Sequence, residues 1–266
     1  SFADHFTQAR LFFNSQSAAE QSHIVSAFSF ELSKVNSVAI RTRELAILNQ
    51  VHPSLAEQVG KNLGIKPPAT LDPLTIQFAQ YNHPGYPIKP KKPEIEKSAA
   101  LSMEVKAGEG AIATRKVAFL VADGVRKASV DKLKKALEKE GAEAVLISTN
   151  VGELRFKEGG TAAIQHSYLT EASVCYDAFY TPDGDSVDRL KEEPDYFQFI
   201  NEGFRHCKAI AFAKGAESLV EGSYLKDKKK DAGLVFESGN DLVADFIKAM
   251  KGHRIWEREL DRKIPV

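Results

Sequence analysis

The chain has 266 residues, and its 36 lysine and arginine residues balance 36 aspartate and glutamate residues, so the formal net charge is zero. Such a chain creates no electrostatic field that would draw nucleic acid or an anionic membrane surface toward it, and we expect neither as a partner. No apolar run approaches the roughly 20 residues that span a bilayer, and the start lacks the layout of a signal peptide. We expect a soluble protein, whose compartment the composition leaves undetermined.

Residues 1–66 are predicted to form short amphipathic helices. Ser17-Ala-Ala-Glu20 is a capping box, a third helix is predicted over 37–51, and Pro53 suits the first turn of a fourth that stops at Gly64. Their apolar stripe has no sheet of its own to cover, so we expect part of it to face water, to self-associate or to fold onto the α/β domain; the stripe carries Phe2, Phe6, Phe13, Phe28 and Phe30. Because the chain begins at Ser1 inside an apparent helix, we expect a piece of a longer protein.

Residues 67–114 are predicted to be an extended linker. Seven of the eleven prolines lie between Pro67 and Pro93, and such a segment joins neither a helix nor a central strand. We expect it to be draped over a surface by its apolar and aromatic side chains: Ile76, Phe78, Tyr81 and Tyr86.

Residues 115–266 are predicted to form an α/β domain. A continuous apolar strand over 117–122 is followed by a helix that ends at Gly141 and by a second strand over 144–147. The alternation continues with strands at 178–181, 209–213 and 234–236 and with helices that begin at Pro194 and Leu242. Continuous apolar strands separated by helices are typical of a parallel sheet covered on both faces. The predicted fold is a doubly wound parallel sheet of flavodoxin-like type.

The most informative stretch is the turn after the strand at 209–213. Gly215 follows that strand, and a helical pattern begins at Ala216. In α/β hydrolytic folds such a turn holds the nucleophile at a strained apex, with helix amides behind it to bind an oxyanion. Here the apex residues are Ala213 and Lys214, and alanine has no nucleophile. We expect the architecture of an active site to be kept without its chemistry.

Other candidate sites are weaker. Asp123-Gly124-Val125 lies at the carboxyl edge of the first strand, but without a G-x-G-x-x-G motif it indicates a turn. The lysine-rich stretch 226–230 indicates a solvated loop. Cys207 precedes the strand at 209–213 and would lie at the opposite edge of the sheet, while Cys175 has apolar neighbours and is expected to be a buried, inert thiol. The histidines are scattered, so we expect no metal site.

The first helices resemble those at the end of the body of a large-subunit catalase of fungal or bacterial type. The resemblance lies in the stretches Asp4 to Asn14, Glu20 to Phe28 and Glu31 to Val35. A catalase binds haem through a tyrosine oxygen, whereas Asn14 follows Phe13 here and the first tyrosine is Tyr81. The resemblance therefore implies that the haem and the catalytic residues belong to the parent catalase, upstream of this chain.

The domain from Lys116 resembles the flavodoxin-like extension of those catalases, which is similar to the intracellular-protease and Parkinson-deglycase superfamily of glutamine-amidotransferase-like folds. This resemblance implies that the superfamily's elbow cysteine corresponds to Ala213 and the following residue, often histidine, to Lys214. The acidic partner corresponds to Ser129 or a residue near it, and the glycine pair of the oxyanion loop corresponds to Asp183 and Gly184. With Gly215, these positions are expected to be vestigial, and no residue is expected to be catalytic, to bind a cofactor or to bind a metal.

These expectations favour a noncatalytic extension that stabilises the parent catalase, which breaks down hydrogen peroxide at a haem. Its partners would be the rest of the subunit and the neighbouring subunits of a homotetramer. Chaperone activity toward unfolded proteins is a further expectation, and it would be independent of ATP because no P-loop motif is present. The alternatives are a hydrolase, deglycase or glyoxalase activity, or binding of a small ligand, at the vestigial elbow. Ala213 discriminates between the enzyme and the noncatalytic extension.

Overall fold

The structure is a computed structural model that describes residues 6–70, 94–104, 109–239 and 241–260. The chain divides into two compact units, Ser1–Glu104 and Val105–Val266, which are described separately. No helix in the described ranges is both long enough and apolar enough to cross a membrane.

The described residues of the first unit form four α-helices, α1 Thr7–Ser15, α2 Ala18–Ser33, α3 Val38–Val51 and α4 Pro53–Leu63. The predicted capping box is confirmed, since the Ser17 side chain accepts from the Glu20 N–H and the Glu20 side chain accepts from the Ser17 N–H. Pro53 lies in the first turn of α4, and Gly64 ends that helix in the left-handed conformation with φ 68°. These local signals mark the start of α2 and both ends of α4.

The four helices build a core of their own, which changes the predicted apolar stripe. Phe13 is 2% exposed and packs with Val25, Leu45 and Leu55, while Phe28 is partly buried against the same cluster. Phe6 is also buried, so these members of the predicted stripe are covered within the helical unit itself. Phe30 does face water, with 62% of its surface exposed, and Phe2 lies outside the described residues.

Part of the predicted linker is tied to the first unit. Residues 98–104, here called the strap, include a 3-10 turn at Ala99–Leu101. Buried Glu20 accepts hydrogen bonds from Met103 N at 2.6 Å and from Ser102 Oγ at 2.9 Å. Gln16 Nε2 donates to Leu101 O at 3.0 Å. The strap is thus held by the start of α2, whereas the four side chains expected to drape the linker, Ile76, Phe78, Tyr81 and Tyr86, lie outside the described residues.

The second unit is a parallel sheet with helices on both faces. Its elements are β1 Lys116–Leu120, α5 Lys127–Lys139, β2 Glu143–Ser148, β3 Gly152–Arg155, β4 Thr161–Ile164, β5 His166–Ser167, β6 Ala178–Thr181, α6 Ser186–Lys191, α7 Pro194–Arg205, β7 Ala209–Phe212, β8 Leu234–Phe236 and α8 Leu242–Lys251. The main sheet has the order β5-β2-β1-β6-β7-β8, and all its neighbouring pairs are parallel. Without the two-residue edge strand β5, this is the flavodoxin-like order, so the predicted fold class is confirmed.

The sheet is buried between two apolar layers, as its continuous apolar strands predict. Val130, Leu133 and Leu137 of α5 cover one face together with the buried side of α8. Tyr196, Phe199, Ile200 and Phe204 of α7 cover the other face together with α6. The buried side chains alternate along each strand, so one strand serves both layers.

The sequence analysis did not predict the short edge strand β5, and it also missed a hairpin and a helix. The stretch after β2 forms an antiparallel hairpin of β3 and β4, with Gly152 opposite Ile164, and α6 follows the loop after β6. Both are short, and neither shows the long apolar period on which such predictions depend. The hairpin places Arg155 O where it accepts from the Gly124 N–H at 2.8 Å, so it supports the loop after β1.

Candidate functional site

The candidate site lies at the carboxyl ends of β1 and β6, where the strand order of the sheet reverses. Doubly wound folds bind ligands in the crevice at this point. The loops after these strands pack backbone to backbone, since Asp185 N donates to Gly124 O at 2.9 Å and Arg126 N donates to Asp183 O at 2.9 Å. Gly184 has φ 139°, and a Cβ on it would lie 2.5 Å from Gly124 O. The predicted oxyanion-loop position is therefore clamped against the first loop.

Ser129, the predicted counterpart of the acidic partner, lies within this arrangement. Its Oγ is hydrogen-bonded to Tyr180 Oη at 2.8 Å and accepts from Asp183 N at 3.3 Å. Burial raises the pKa of Tyr180, so the phenol stays neutral and hydrogen-bonded. The Asp183 carboxylate lies 3.6 Å from Arg126 Nε. The Ser129 hydroxyl is thus held by two groups of its own chain.

The turn after β7 also reaches this point. A Cβ on Gly215 would lie 2.9 Å from Asp183 Cβ, so the turn and the loop after β6 are in close contact. Ala213 N donates to Thr181 O at 3.0 Å, which links the turn to the end of β6. The structure therefore brings together all six predicted positions: Ser129, Asp183, Gly184, Ala213, Lys214 and Gly215.

The backbone of the turn differs from a strained elbow. Ala213 has φ −63° and ψ 155°, an ordinary extended conformation, and a 3-10 helix follows over Lys214–Gly222. Within the described ranges, positive φ occurs outside glycine at Thr114, Cys207 and His253, and not at this turn. The turn after β7 therefore lies beside the loop after β6 without the backbone strain of a nucleophile elbow. Ala213 is 1% exposed, so even its methyl group is covered.

A residue that the sequence analysis did not consider binds the first backbone N–H of this 3-10 helix. Glu237 follows β8, and its Oε2 accepts from the Lys214 N–H at 3.0 Å while its Oε1 lies 3.2 Å from Lys132 Nζ. The hydrogen bond from Lys214 is the main cause that lowers the pKa of Glu237. In a nucleophile elbow, the N–H of the residue after the nucleophile binds the oxyanion. The corresponding donor here is already bound to a carboxylate of the same chain.

Comparison with known proteins agrees with this fold. Residues 113–259 match the family model of the C-terminal domain found in long catalases, and residues 1–63 match the model described as catalase-related immune-responsive. This chain belongs to the long-catalase family. It is 38% identical over 261 residues to catalase HPII of Pseudomonas putida, covering 97% of this chain and 34% of that protein.

Two other relatives also match nearly all of this chain over about a third of their own length. Catalase HPII of Pseudomonas aeruginosa is 36% identical and is matched over 99% of this chain and 34% of its own length. Catalase-B of Dictyostelium discoideum is 32% identical and is matched over 97% of this chain and 35% of its own length. The chain thus spans about a third of the length of these relatives and is a C-terminal region of a long catalase.

The two thiols of this long-catalase region differ from each other. Cys207 is 1% exposed and lies just before the amino end of β7, as predicted. Cys175 is exposed, so the prediction of a buried thiol is wrong. It belongs to the 3-10 turn Ser173–Cys175, in which Ser173 points inward while Val174 and Cys175 face water. Apolar neighbours in sequence do not bury a residue on the outer side of a turn.

Metal and haem binding need particular sets of side chains in this long-catalase region. Within the part of the chain that the structure describes, no group of three or more histidine, cysteine, aspartate or glutamate residues is arranged to hold a metal ion. In α1, Asn14 follows buried Phe13, and the sequence has no tyrosine before Tyr81, which lies outside the described residues. Helices α1 to α4 therefore contain no tyrosine.

Proposed function

We propose that this chain is the noncatalytic C-terminal region of a long catalase, that the parent breaks down hydrogen peroxide at a haem held by residues outside this chain, and that this region stabilises the parent subunit and its tetramer. The observation that carries the noncatalytic role is the hydrogen bond from the Lys214 N–H to Glu237 Oε2. A donor engaged in this way is not available to a developing oxyanion.

Thiol chemistry at an elbow needs three parts that act as a unit, a nucleophile, its proton partner and a free oxyanion donor. Ala213 supplies no nucleophile. Ser129 supplies a hydroxyl that already bonds Tyr180 and Asp183, and a serine hydroxyl is a poor base. Because all three parts are altered, restoring one of them is not expected to restore turnover. This argues against the alternative of a hydrolase, deglycase or glyoxalase.

The test compares two measurements. The purified chain is assayed for methylglyoxal turnover and for hydrolysis of activated esters, and the parent catalase is assayed for subunit dissociation with and without this region. The proposal expects no turnover above a heat-denatured sample and a lower dissociation temperature for the truncated parent. Turnover that survives replacement of both cysteines by serine would overturn the noncatalytic role, and unchanged dissociation would overturn the stabilising role.

Passive binding of unfolding proteins is a second candidate function, supported by exposed apolar side chains on the helical unit. Phe12 is 48% exposed, Phe30 62%, Val38 59% and Ile40 44%. Exposed apolar surface binds partially unfolded chains as well as native partners. Light scattering of a heat-labile enzyme with this chain or with an equal mass of albumin tests this role, because a specific holding activity lowers the scattering below that of the albumin control.

A further inference from the structure

Helix α7 presents a narrow outward ridge between two different surfaces. Its inner side is buried through Tyr196, Ile200 and Phe204. At 100° per residue, the opposite side carries Pro194, Gln198 and Arg205, none of which is buried. One edge of this ridge carries Asp195 and Glu202, and the other carries Phe197 and Asn201. The surfaces beside the two edges differ in charge.

On the first edge, a cavity of about 260 Å³ opens between α7 and the segment after β5. This acidic groove is lined by Tyr168, Leu169, Glu171, Asp195, Phe199 and Glu202. Its floor is aromatic, since Tyr168 and Phe199 are each 4% exposed, and their rings meet edge to face.

The acidic groove keeps net negative charge, although the buried Lys208 interacts electrostatically with Glu202. Among the residues that the structure describes, Glu171 pairs with His166 Nδ1 at 2.6 Å, and no lysine or arginine forms an ion pair with Glu171, Asp195 or Glu202. Leu169 at the groove is 84% exposed. The groove thus presents negative charge next to an apolar side chain that extends into water.

On the second edge, α7 contacts the segment that ends the 3-10 helix after β7. Tyr224 N donates to Asn201 Oδ1 at 3.2 Å, and a Cβ on Gly222 would lie 2.7 Å from the Phe197 ring. Tyr224 is 57% exposed, and it is followed by the stretch Lys226-Asp-Lys-Lys-Lys230, here called the lysine segment. Lys226, Lys229 and Lys230 are exposed. Lys229 pairs with Glu221 at 2.5 Å, so this edge presents the positive charge of Lys226 and Lys230 next to an exposed aromatic ring.

We propose that α7 is a self-association surface, on which the acidic groove of each copy of this chain binds the lysine segment of a second copy. In a dimer whose two-fold axis runs parallel to α7, the first edge of one copy faces the second edge of the other copy. The two edges then meet at the same position along the helix axis. Asp195 to Glu202 of the groove and Phe197 to Asn201 beside Tyr224 lie at the same height on α7. Both contacts therefore form at once, as in an isologous dimer.

The chemistry of the two edges favours a second copy as the occupant. The chain has no net charge, so two copies do not repel each other while their oppositely charged edges attract. The exposed Leu169 of one copy and Tyr224 of the other supply apolar contact beside the charges. This inference deepens the proposed role in tetramer packing, and it rests on that role only for where the contact lies in the parent catalase. Its failure can be distinguished from failure of the noncatalytic role, because the noncatalytic role is tested by turnover.

The experiment is sedimentation equilibrium on the full chain and on two charge-reversal variants, Asp195→Lys/Glu202→Lys in the groove and Lys226→Glu/Lys230→Glu in the lysine segment. Glu153→Lys, an exposed reversal on β3, is the matched control. We expect a wild-type dimer that weakens with added salt, dimers weakened about tenfold or more in each variant, and a control that behaves as wild type. Thermal melts followed by circular dichroism establish that the variants fold.

The decisive sample is an equimolar mixture of the two variants. One variant then has two basic edges and the other two acidic edges, so the mixed pair restores both attractive contacts, and we expect the wild-type affinity to return. A wild-type chain that stays monomeric up to several hundred micromolar would overturn the proposal, even if its groove bound a lysine-rich peptide. A mixture that dissociates as readily as the separate variants would also overturn it.

Discussion

Glu237 and Lys214 lie on neighbouring turns after β8 and β7, and the side chain of the first accepts the backbone N–H of the second at 3.0 Å. Glu237 N also donates to Phe212 O at 3.2 Å, so the acidic residue is bound at both its ends to the β7 turn. The carboxylate thus holds the start of the 3-10 helix. The Lys214 N–H, which corresponds in position to the oxyanion donor of a nucleophile elbow, is used in this contact.

Replacing Glu237 by glutamine tests this structural role. We expect Glu237→Gln to lower the free energy of unfolding by about 1–2 kcal/mol, because a hydrogen bond to a charged group is replaced by a neutral one and the Lys132 ion pair is lost. Urea denaturation measures the change. Glu153→Gln, an exposed residue of β3, is the control and should change stability by less than about 0.5 kcal/mol. Equal stability of the two variants would contradict the role.

The same residue predicts a pH dependence. The pKa of Glu237 is lowered below its usual value of 4.5, so the folded state favours the carboxylate. Its contribution is therefore fully present above the unfolded pKa and is lost as the pH falls through the folded pKa. The difference in stability between wild type and Glu237→Gln should be constant near neutral pH and shrink in acid. A difference that grows as the pH falls would be inconsistent with the sign of this shift.

Introducing a thiol at the elbow tests whether the amide is available. In a background in which both cysteines are replaced by serine, Ala213→Cys should give a thiol that reacts slowly with disulfide reagents, because position 213 is covered and Lys214 N–H is engaged. Adding Glu237→Ala should increase the thiolate fraction at neutral pH, since the freed amide can stabilise it. Neither variant should turn over methylglyoxal. A fast-reacting thiol in the single variant would show that the donor is free.

Haem binding is expected to be absent from the isolated chain. Asn14 follows Phe13 in α1, and Arg10 is engaged by Gln50 O at 2.8 Å and by Val51 O at 3.3 Å within the helical unit. Titration with hemin should therefore give the broad spectrum of free hemin, and peroxide turnover should equal that of hemin alone. A defined Soret band at one haem per chain would overturn this expectation.

The strap predicts a local acid sensitivity. Burial is the largest effect on Glu20 and raises its pKa, but hydrogen bonds from Ser17, Met103 and Ser102 together outweigh it and lower the pKa. The stabilisation is present above the unfolded pKa and is lost as the pH falls through the folded value. Hydrogen exchange at Met103 N should accelerate in acid beyond the intrinsic rate, and Glu20→Gln should show fast exchange already at neutral pH. Slow exchange in that variant would remove Glu20 as the anchor.

If the helical unit holds unfolding proteins, its exposed rings should carry the activity. Phe12→Ser/Phe30→Ser should weaken the suppression of light scattering, because both rings are exposed on that unit. Val151→Ser, an exposed apolar position of the α/β unit, is the matched control and should leave the suppression unchanged. Equal suppression by the double variant and the wild type would separate any holding activity from these two rings.

The sequence by itself determined the local elements and the missing nucleophile. The capping box at Ser17, the left-handed Gly64 and the apolar strands β6 and β8 are encoded in neighbouring residues, so their bounds could be read directly. Ala213 likewise lacks a nucleophile in any conformation. The strand alternation and the family resemblance were sufficient for the fold class, since buried parallel strands leave a continuous apolar pattern.

The tertiary structure decided which side chains meet. Glu237 and Lys214 are 23 residues apart in sequence. They are brought together because β8 pairs with β7 in parallel, so both strands end at the same edge of the sheet. The exposure of Cys175 and the burial of Phe6 and Phe13 depend on which side of a turn or helix has a neighbour. A pattern in sequence gives the period of an element, whereas burial and hydrogen bonding depend on the elements packed against it.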